Sequence, residues 1–145
     1  PYKMTMLLPG PTGETNTLSF VARGRIFCAA NDLPSLLNQV AASLATGNTV
    51  VVEEQTKALL PANLPAMVQQ SIVWGNSDDV QFALLARDVA NDYKLTLAQQ
   101  TGAIVCVAET DAKSEIPLWR LLAERALCVN TTAAGGNASL MSLQS

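Results

Sequence analysis

Histidine is absent from the 145-residue chain. Its absence removes the commonest general base, the commonest metal ligand and every Ser-His or Cys-His nucleophile pair. Zinc would have to be held by three dispersed cysteines and some carboxylates, which is not a ligand spacing that metal requires. Basic clusters are missing as well. The nine Lys and Arg stand singly from Lys3 to Arg125 against twelve acids, for a net charge of -3. Nucleic-acid binding needs clustered cations to displace counterions, so that class of partner is excluded for this segment. No apolar run approaches the ~20 residues that cross a bilayer. The start, "PYKMTMLLPGPTGE", has only a short apolar patch before Pro9 and Gly10, and does not read as a signal peptide.

The cysteines are three, Cys28, Cys106 and Cys128, an odd number without close spacing. That argues against a disulfide framework and for a reducing, cytoplasmic setting. The chain does not begin with Met, which reads as a piece of a longer polypeptide. Charge is sparse for a free surface, so part of the surface is expected to face another domain or subunit.

What is present is an alternation of strand-like and helix-like segments. Leu7–Asn16 reads as an irregular turn rich in Pro and Gly. "TLSFVA" and "RIFCAA" are β-type runs, with Arg23-Gly24 as a turn or bulge between them. Leu33, Leu36, Leu37, Val40, Ala41 and Leu44 fall on one helical face, with Asp32 as N-cap and Gly47 as stop. "TVVVEE" is a buried strand ending in acid. Two prolines interrupt "KALLPANLPAMV", and "SIVW" is a short strand. Ser77–Gly102 reads as largely helical, "AIVCVAE" as an apolar strand, "IPLWRLLAERA" as a helix with Pro117 in its first turn, and "LCVNTT" as a last strand. Apolar strands alternating with helices predict a Rossmann-like, doubly wound α/β unit with a mainly parallel sheet, a C-terminal strand and an extended Gly-rich tail. The expected division is 1–128 for this unit and 129–145 for the strand and tail.

Such a unit raises the question of a dinucleotide. Its fingerprint, Gly-x-Gly-x-x-Gly between first strand and first helix, would fall on "CAANDLPSLL", which contains no glycine. The Leu33 helix therefore reads as an ordinary capped helix. Glu53 and Glu54 end a strand where a ribose-binding acid would sit, and are weak cofactor-site candidates without that loop. All three cysteines lie in apolar runs and read as small buried hydrophobes with raised pKa. Arg120 and Glu124 read as a solvated helical pair, with Glu124 and Arg125 as possible interface anchors. Trp74 and Trp119 read as core or interface residues.

The end of the chain, "VNTTAAGGNASLM", carries no charge and no large side chain before Leu140. Asn130, Thr131, Thr132, Asn137 and Ser139 offer hydrogen-bonding groups between the small Ala133, Ala134 and Ala138. Gly135 and Gly136 permit close backbone approach, and Leu140 and Met141 are apolar anchors. This has the features of a peptide that docks in a groove.

Together "GPTGETN", "RGRIFCAA", "PLWRLLAERA" and "ALCVNTTAAGGNASLM" resemble the C-terminal domain of the proline utilization A (PutA) family, over nearly the whole chain. In addition "ASLATGNTVVVEEQT" is similar to the aldehyde dehydrogenase stretch Gly-Asn-Thr-Val-Val-x-Lys-Pro. The Lys that contacts the cofactor ribose in that superfamily is here Glu53, and the Pro is Glu54, which reverses the local charge. The resemblance implies a degenerate aldehyde dehydrogenase-like domain without catalytic residues, cofactor or metal of its own. It implies a parent with an FAD-dependent proline dehydrogenase and an NAD-dependent glutamate-semialdehyde dehydrogenase, cytoplasmic or peripherally membrane-associated, and a homodimer. Asn130–Met141 would then seal a channelling tunnel against the catalytic domains of the same polypeptide. A residual NAD- or regulator-binding domain and a dimerisation module are the alternative readings.

Overall fold

The computed structural model describes residues 4–130. The chain divides into two units, one formed by Ala22–Ala123 and the other by 4–21 and 124–130.

In the first unit, five parallel strands form a sheet in the order β5-β4-β3-β6-β7. They are β3 (Arg25–Ala29), β4 (Thr49–Val52), β5 (Ile72–Trp74), β6 (Phe82–Ala86) and β7 (Cys106–Thr110). The chain starts at β3, moves outward through β4 to β5, then returns to the other side of β3 for β6 and β7. The order therefore reverses between β3 and β6. Every residue of β6 is buried, as are Ile26–Ala29 and Val50–Val52. Central parallel strands covered on both faces have no solvent side, so their sequences run apolar without alternation.

Helix α1 (Leu33–Ala45) follows the predicted periodicity. Asp32 caps it, and the chain leaves through Gly47 at φ 76°, the left-handed region that glycine enters without strain. Helices α2 (Ala66–Gln70) and α3 (Ala90–Ala98) are shorter, and 3-10 turns occupy Glu54–Leu59 and Leu118–Leu121. Consecutive residues of β3 show how the sheet is covered. Phe27 meets Tyr93 of α3, with ring centroids 5.3 Å apart, and Cys28 lies 3.8 Å from the Ser43 hydroxyl of α1. Neighbouring side chains on a strand point to opposite faces, so α3 and α1 cover opposite sides of the sheet.

The second unit is a three-stranded sheet in the order β1-β2-β8, from β1 (Met4–Leu8), β2 (Glu14–Ala22) and β8 (Leu122–Asn130). β1 and β2 are antiparallel, with Met4 opposite Phe20 and Leu8 opposite Asn16. Between them Glu14 N–H donates to the Pro11 carbonyl at 3.0 Å, and Gly13 takes φ 91°. Ser19 Oγ donates to the Arg125 carbonyl at 3.2 Å, tying β2 to β8.

Three sequence expectations are corrected here. Leu7–Asn16 is not wholly irregular, since its ends belong to β1 and β2. Ser77–Gly102 is not largely helical: it holds β6, next to the centre of the sheet, with α3 confined to nine residues. A strand buried on both faces does not alternate, and its apolar residues satisfy a helical template as readily. The segment from Pro117 is a single 3-10 turn that runs into the nine-residue strand β8. Its helical pattern covers little more than one turn, and pairing with β2 outweighs local propensity.

Candidate functional site

In open parallel sheets, ligands enter the crevice at the carboxyl ends of the strands where the order reverses. That place lies between the ends of β3 and β6. The turn from β3 into α1 is Ala30-Asn31-Asp32, without glycine. Asp32 Oδ1 accepts from the Ser35 N–H at 2.9 Å. This bond, with a further one to the Ser35 side chain, holds the Asp32 carboxyl below its ordinary range. The free amides at a helix N-terminus are what a phosphate takes in other folds. Here the protein supplies its own carboxylate to one of them, the Ser35 N–H. Across the crevice Asn31 Nδ2 donates to Asp88 Oδ2 at 3.2 Å, so the loops after β3 and β6 are bridged by a second acidic group.

Glu53 lies just past the end of β4, at the strand end where the sequence places it, but its carboxylate is engaged. Glu53 Oε2 accepts from the Tyr93 hydroxyl at 2.6 Å and from Gln55 Nε2 at 2.5 Å. Burial, reinforced by this bond to Glu53, pushes the Tyr93 phenol up to about 12. Glu54 is exposed and faces Lys57 at 3.6 Å, a contact of little energetic weight on the surface. Both acids line a shallow recess of about 280 Å³ with Trp74, Gly75 and Asn76. Lys57 lies over the Trp74 ring at 5.2 Å and lines a neighbouring recess of about 400 Å³. The structure thus brings Glu53 and Glu54 together at one rim, away from the N-terminus of α1.

Asp88 and Tyr93 escape sequence reasoning, because both lie in the stretch read as largely helical. Glu109 accepts from Lys94, which holds its carboxyl below its ordinary range. Asp111 is likewise lowered, chiefly by Ser114 and then by the Lys113 N–H. Among the described residues no group of three or more Cys, Asp or Glu is arranged to hold a metal. The ends of the sheet carry carboxylates whose hydrogen bonds are met internally. That arrangement binds helix termini and neighbouring loops, and it repels a polyphosphate.

The cysteines divide. Cys28 is buried, and burial pushes its thiol up to about 12. Cys106 and Cys128 are exposed, against the expectation of burial, because each lies on an outer strand, β7 or β8. Trp74 is half-buried, whereas Trp119 is 72% exposed. Arg120 stands in a 3-10 turn and Glu124 in extended β8, so the helical spacing expected to pair them does not exist. Glu124 and Arg125 are both exposed on β8, and Asn130 closes it. The remainder of the expected docking motif, 131–141, lies outside the described residues.

Comparison with known proteins supplies relatives. The chain is similar to the bifunctional protein PutA of Escherichia coli (strain K12), at 37% identity over 146 aligned positions. It is 38% identical to the bifunctional protein PutA of Salmonella typhimurium over the same number. Each match covers 94% of this chain and 11% of the relative, so the chain spans about a ninth of the length of these curated relatives. Among solved structures it is similar to proline utilization A (PutA) with proline bound in remote sites, with a TM-score of 0.55 and 26% identity. That match covers 73% of this chain and 13% of the other. No family model matches the chain.

Proposed function

We infer, from a chain that is a segment of the PutA family, that it serves as a non-catalytic domain of a much longer bifunctional oxidoreductase. The parent, on this reading, oxidises proline to glutamate with an FAD-dependent proline dehydrogenase and an NAD-dependent glutamate-semialdehyde dehydrogenase in its other parts. The segment is its C-terminal domain, a degenerate Rossmann-like unit of aldehyde dehydrogenase type.

The observation that carries the non-catalytic reading is the crevice at the switch of strand order. There the Asp32 carboxylate takes the Ser35 N–H at the start of α1, and Asn31 and Asp88 bridge the gap. A dinucleotide pyrophosphate would meet two carboxylates where dinucleotide-binding folds offer glycine and free N–H groups. Glu53, committed to Tyr93, is not offered to a ribose. The reversed strand order and the helices on both faces support descent from a nucleotide-binding fold, and the acids support loss of the ligand.

Residues 129–145 act, on this reading, as a docking tail that seals a channelling tunnel against the catalytic domains, while the domain assists placement of the tail and assembly of a homodimer. A tunnel wall has to exclude solvent and stay ordered, and needs no reactive side chain. Backbone hydrogen bonds and close packing of Gly, Ala and Thr suffice. A tether to the same polypeptide keeps the effective concentration high, so modest contacts hold the lid. Removal of Asn130–Ser145 from the parent tests this. NADH formation from proline should acquire a lag while each half-reaction, assayed separately, keeps its rate. An unchanged coupled time course would refute the sealing role. Calorimetric titration of the chain with NAD should give no saturable heat.

A further inference from the structure

Two arginines meet over one buried ring at the amino end of the parallel sheet, opposite the acidic crevice. Arg23 and Arg25 flank Gly24 where the chain enters β3, and Arg120 lies in the 3-10 turn Leu118–Leu121. The Arg23 guanidinium stands 5.5 Å from the centre of the Phe82 ring, and that of Arg120 stands 5.7 Å from the same centre. Arg23 Nε donates to the Arg120 carbonyl at 2.6 Å, which fixes one arginine on the turn that carries the other. Phe82, the first residue of β6, is 2% exposed, so the ring is a fixed platform. Gln81, just before it, accepts the Arg25 N–H on Oε1 at 2.7 Å. Gly24 takes φ 128°, and a Cβ there would lie 2.6 Å from that Oε1, so this approach is open only to glycine.

The cations in this group are not balanced. The ion pairs among the described residues involve Lys57, Arg87 and Lys94. None involves Arg23, Arg25 or Arg120. Two guanidiniums on one ring repel each other. A single oxyanion between them relieves that repulsion: a guanidinium presents donors in a fork that matches a carboxylate, while its face remains stacked on the aromatic ring.

We propose that Arg23 and Arg120 form a binding site for a carboxylate at the amino end of the sheet, over the Phe82 ring. Arg23 lines a recess of about 360 Å³ whose wall includes Thr101, Gln100 and Asp79. Asp79 brings one negative charge to that recess, which favours a monoanionic carboxylate over a phosphate dianion. The group is supplied either by a free small acid or by an Asp or Glu side chain elsewhere in the longer polypeptide. This site is independent of the crevice at the carboxyl end, and stands whether or not the channelling role does.

The test follows the arginine Nε–H resonances of the ¹⁵N-labelled 145-residue chain during titration at constant ionic strength. The probes are acetate, inorganic phosphate and a blocked glutamyl residue, N-acetylglutamate N-methylamide. Acetate should give saturable shifts of Arg23 and Arg120, with phosphate binding more weakly. Loss of one charge-assisted contact should weaken acetate binding about tenfold or more in Arg120→Gln, with Arg120→Lys recovering part of it and Arg87→Gln leaving it unchanged. Arg120 carries the test because its guanidinium makes no hydrogen bond to a described residue, whereas loss of the Arg23 side chain also removes a structural bond. Shifts that do not saturate, equal effects in Arg87→Gln, or tighter binding of phosphate would overturn the proposal. A blocked glutamyl residue that matches the best free acid marks a side chain as the source. A preference of about tenfold for a free acid, some 1.4 kcal/mol, marks a small molecule.

Discussion

Truncation of Asn48 to alanine should be among the most damaging single changes in the parallel-sheet unit. Asn48 precedes β4 and is 4% exposed. Its Oδ1 accepts the Gly24 N–H at 2.9 Å, and its Nδ2 donates to the Leu121 carbonyl at 2.9 Å and to Thr46 Oγ1 at 2.7 Å. One amide thus joins the start of β3, the end of α1 and the 3-10 turn Leu118–Leu121. The three bonds are not equal. The Leu121 carbonyl keeps a second donor, the Arg23 N–H at 3.3 Å, and Thr46 Oγ1 keeps its bonds to the Ala42 and Ser43 carbonyls. The Gly24 N–H has no other acceptor among these bonds. Leaving it unpaired costs ~1–3 kcal/mol, and the lost bond to Leu121 with the vacated volume adds about 1 more. Asn48→Ala should therefore cost about 2–4 kcal/mol, a large share of an ordinary stability of 5–15 kcal/mol. Asn48→Asp separates the two ends of the amide. It keeps the acceptor for Gly24 but sets a carboxylate oxygen against the Leu121 carbonyl. That carboxyl should titrate high in the folded state, so the variant should be at its worst at neutral pH and recover as pH falls and the group protonates. Urea unfolding by circular dichroism and tryptophan fluorescence measures both. A loss below about 0.5 kcal/mol for Asn48→Ala, or an Asn48→Asp protein as stable as the parent at pH 7, would refute the reasoning.

The remaining predictions concern the thiols, Tyr93 and acid stability. In the folded chain Cys106 and Cys128 should react with a thiol reagent at pH 8 and Cys28 only on unfolding, because Cys28 is buried and its thiol pushed up to about 12; fast labelling of three thiols would contradict the placement of β3. Tyr93→Phe keeps the ring against Phe27 and removes the hydroxyl from Glu53, and should cost ~0.5–1.5 kcal/mol in urea unfolding; a neutral result would mean Glu53 is held by other contacts. Asp32, Glu109 and Asp111 are each lowered in the folded state, so their contribution is complete above the unfolded carboxyl values near pH 4 and is lost as pH falls below them. Thermal midpoints should fall from about pH 4 downward, less steeply in Asp32→Asn. A midpoint that rises on acidification would reverse the assigned sign.

Legibility followed the range of the interactions involved. Helix α1 is visible because its period, its cap at Asp32 and its stop at Gly47 all lie within sixteen residues. β4 is visible because three valines between turn signals admit little else. β6 is hidden because "FALLA" gains its identity from β3 and β7 on either side, and nothing inside the segment alternates. β8 is hidden because its partner lies about a hundred residues earlier, as the bond from Ser19 to Arg125 shows. The candidate site divides on the same line. The missing glycine and the acids at Glu53 and Glu54 can be read one residue at a time. Asp88 and Tyr93 cannot, since what they do depends on β6 being a strand that delivers them to the carboxyl end of the sheet.

That delivery gives the unit its electrostatic character. Helix N-termini make the carboxyl end of a parallel sheet attractive to anions, and nucleotide-binding folds exploit it. This sequence sets Asp32, Glu53, Asp88 and Asp111 just past the ends of β3, β4, β6 and β7, where they offset the helix dipoles from within. Two of its nine cations stand at the opposite end, over Phe82, without carboxylate partners among the described residues. The end that the fold makes receptive to anions is therefore neutralised by the chain itself. The end that the fold leaves unassigned carries the unpaired positive charge. If function follows charge rather than ancestry, an anionic partner should be sought at the arginines first.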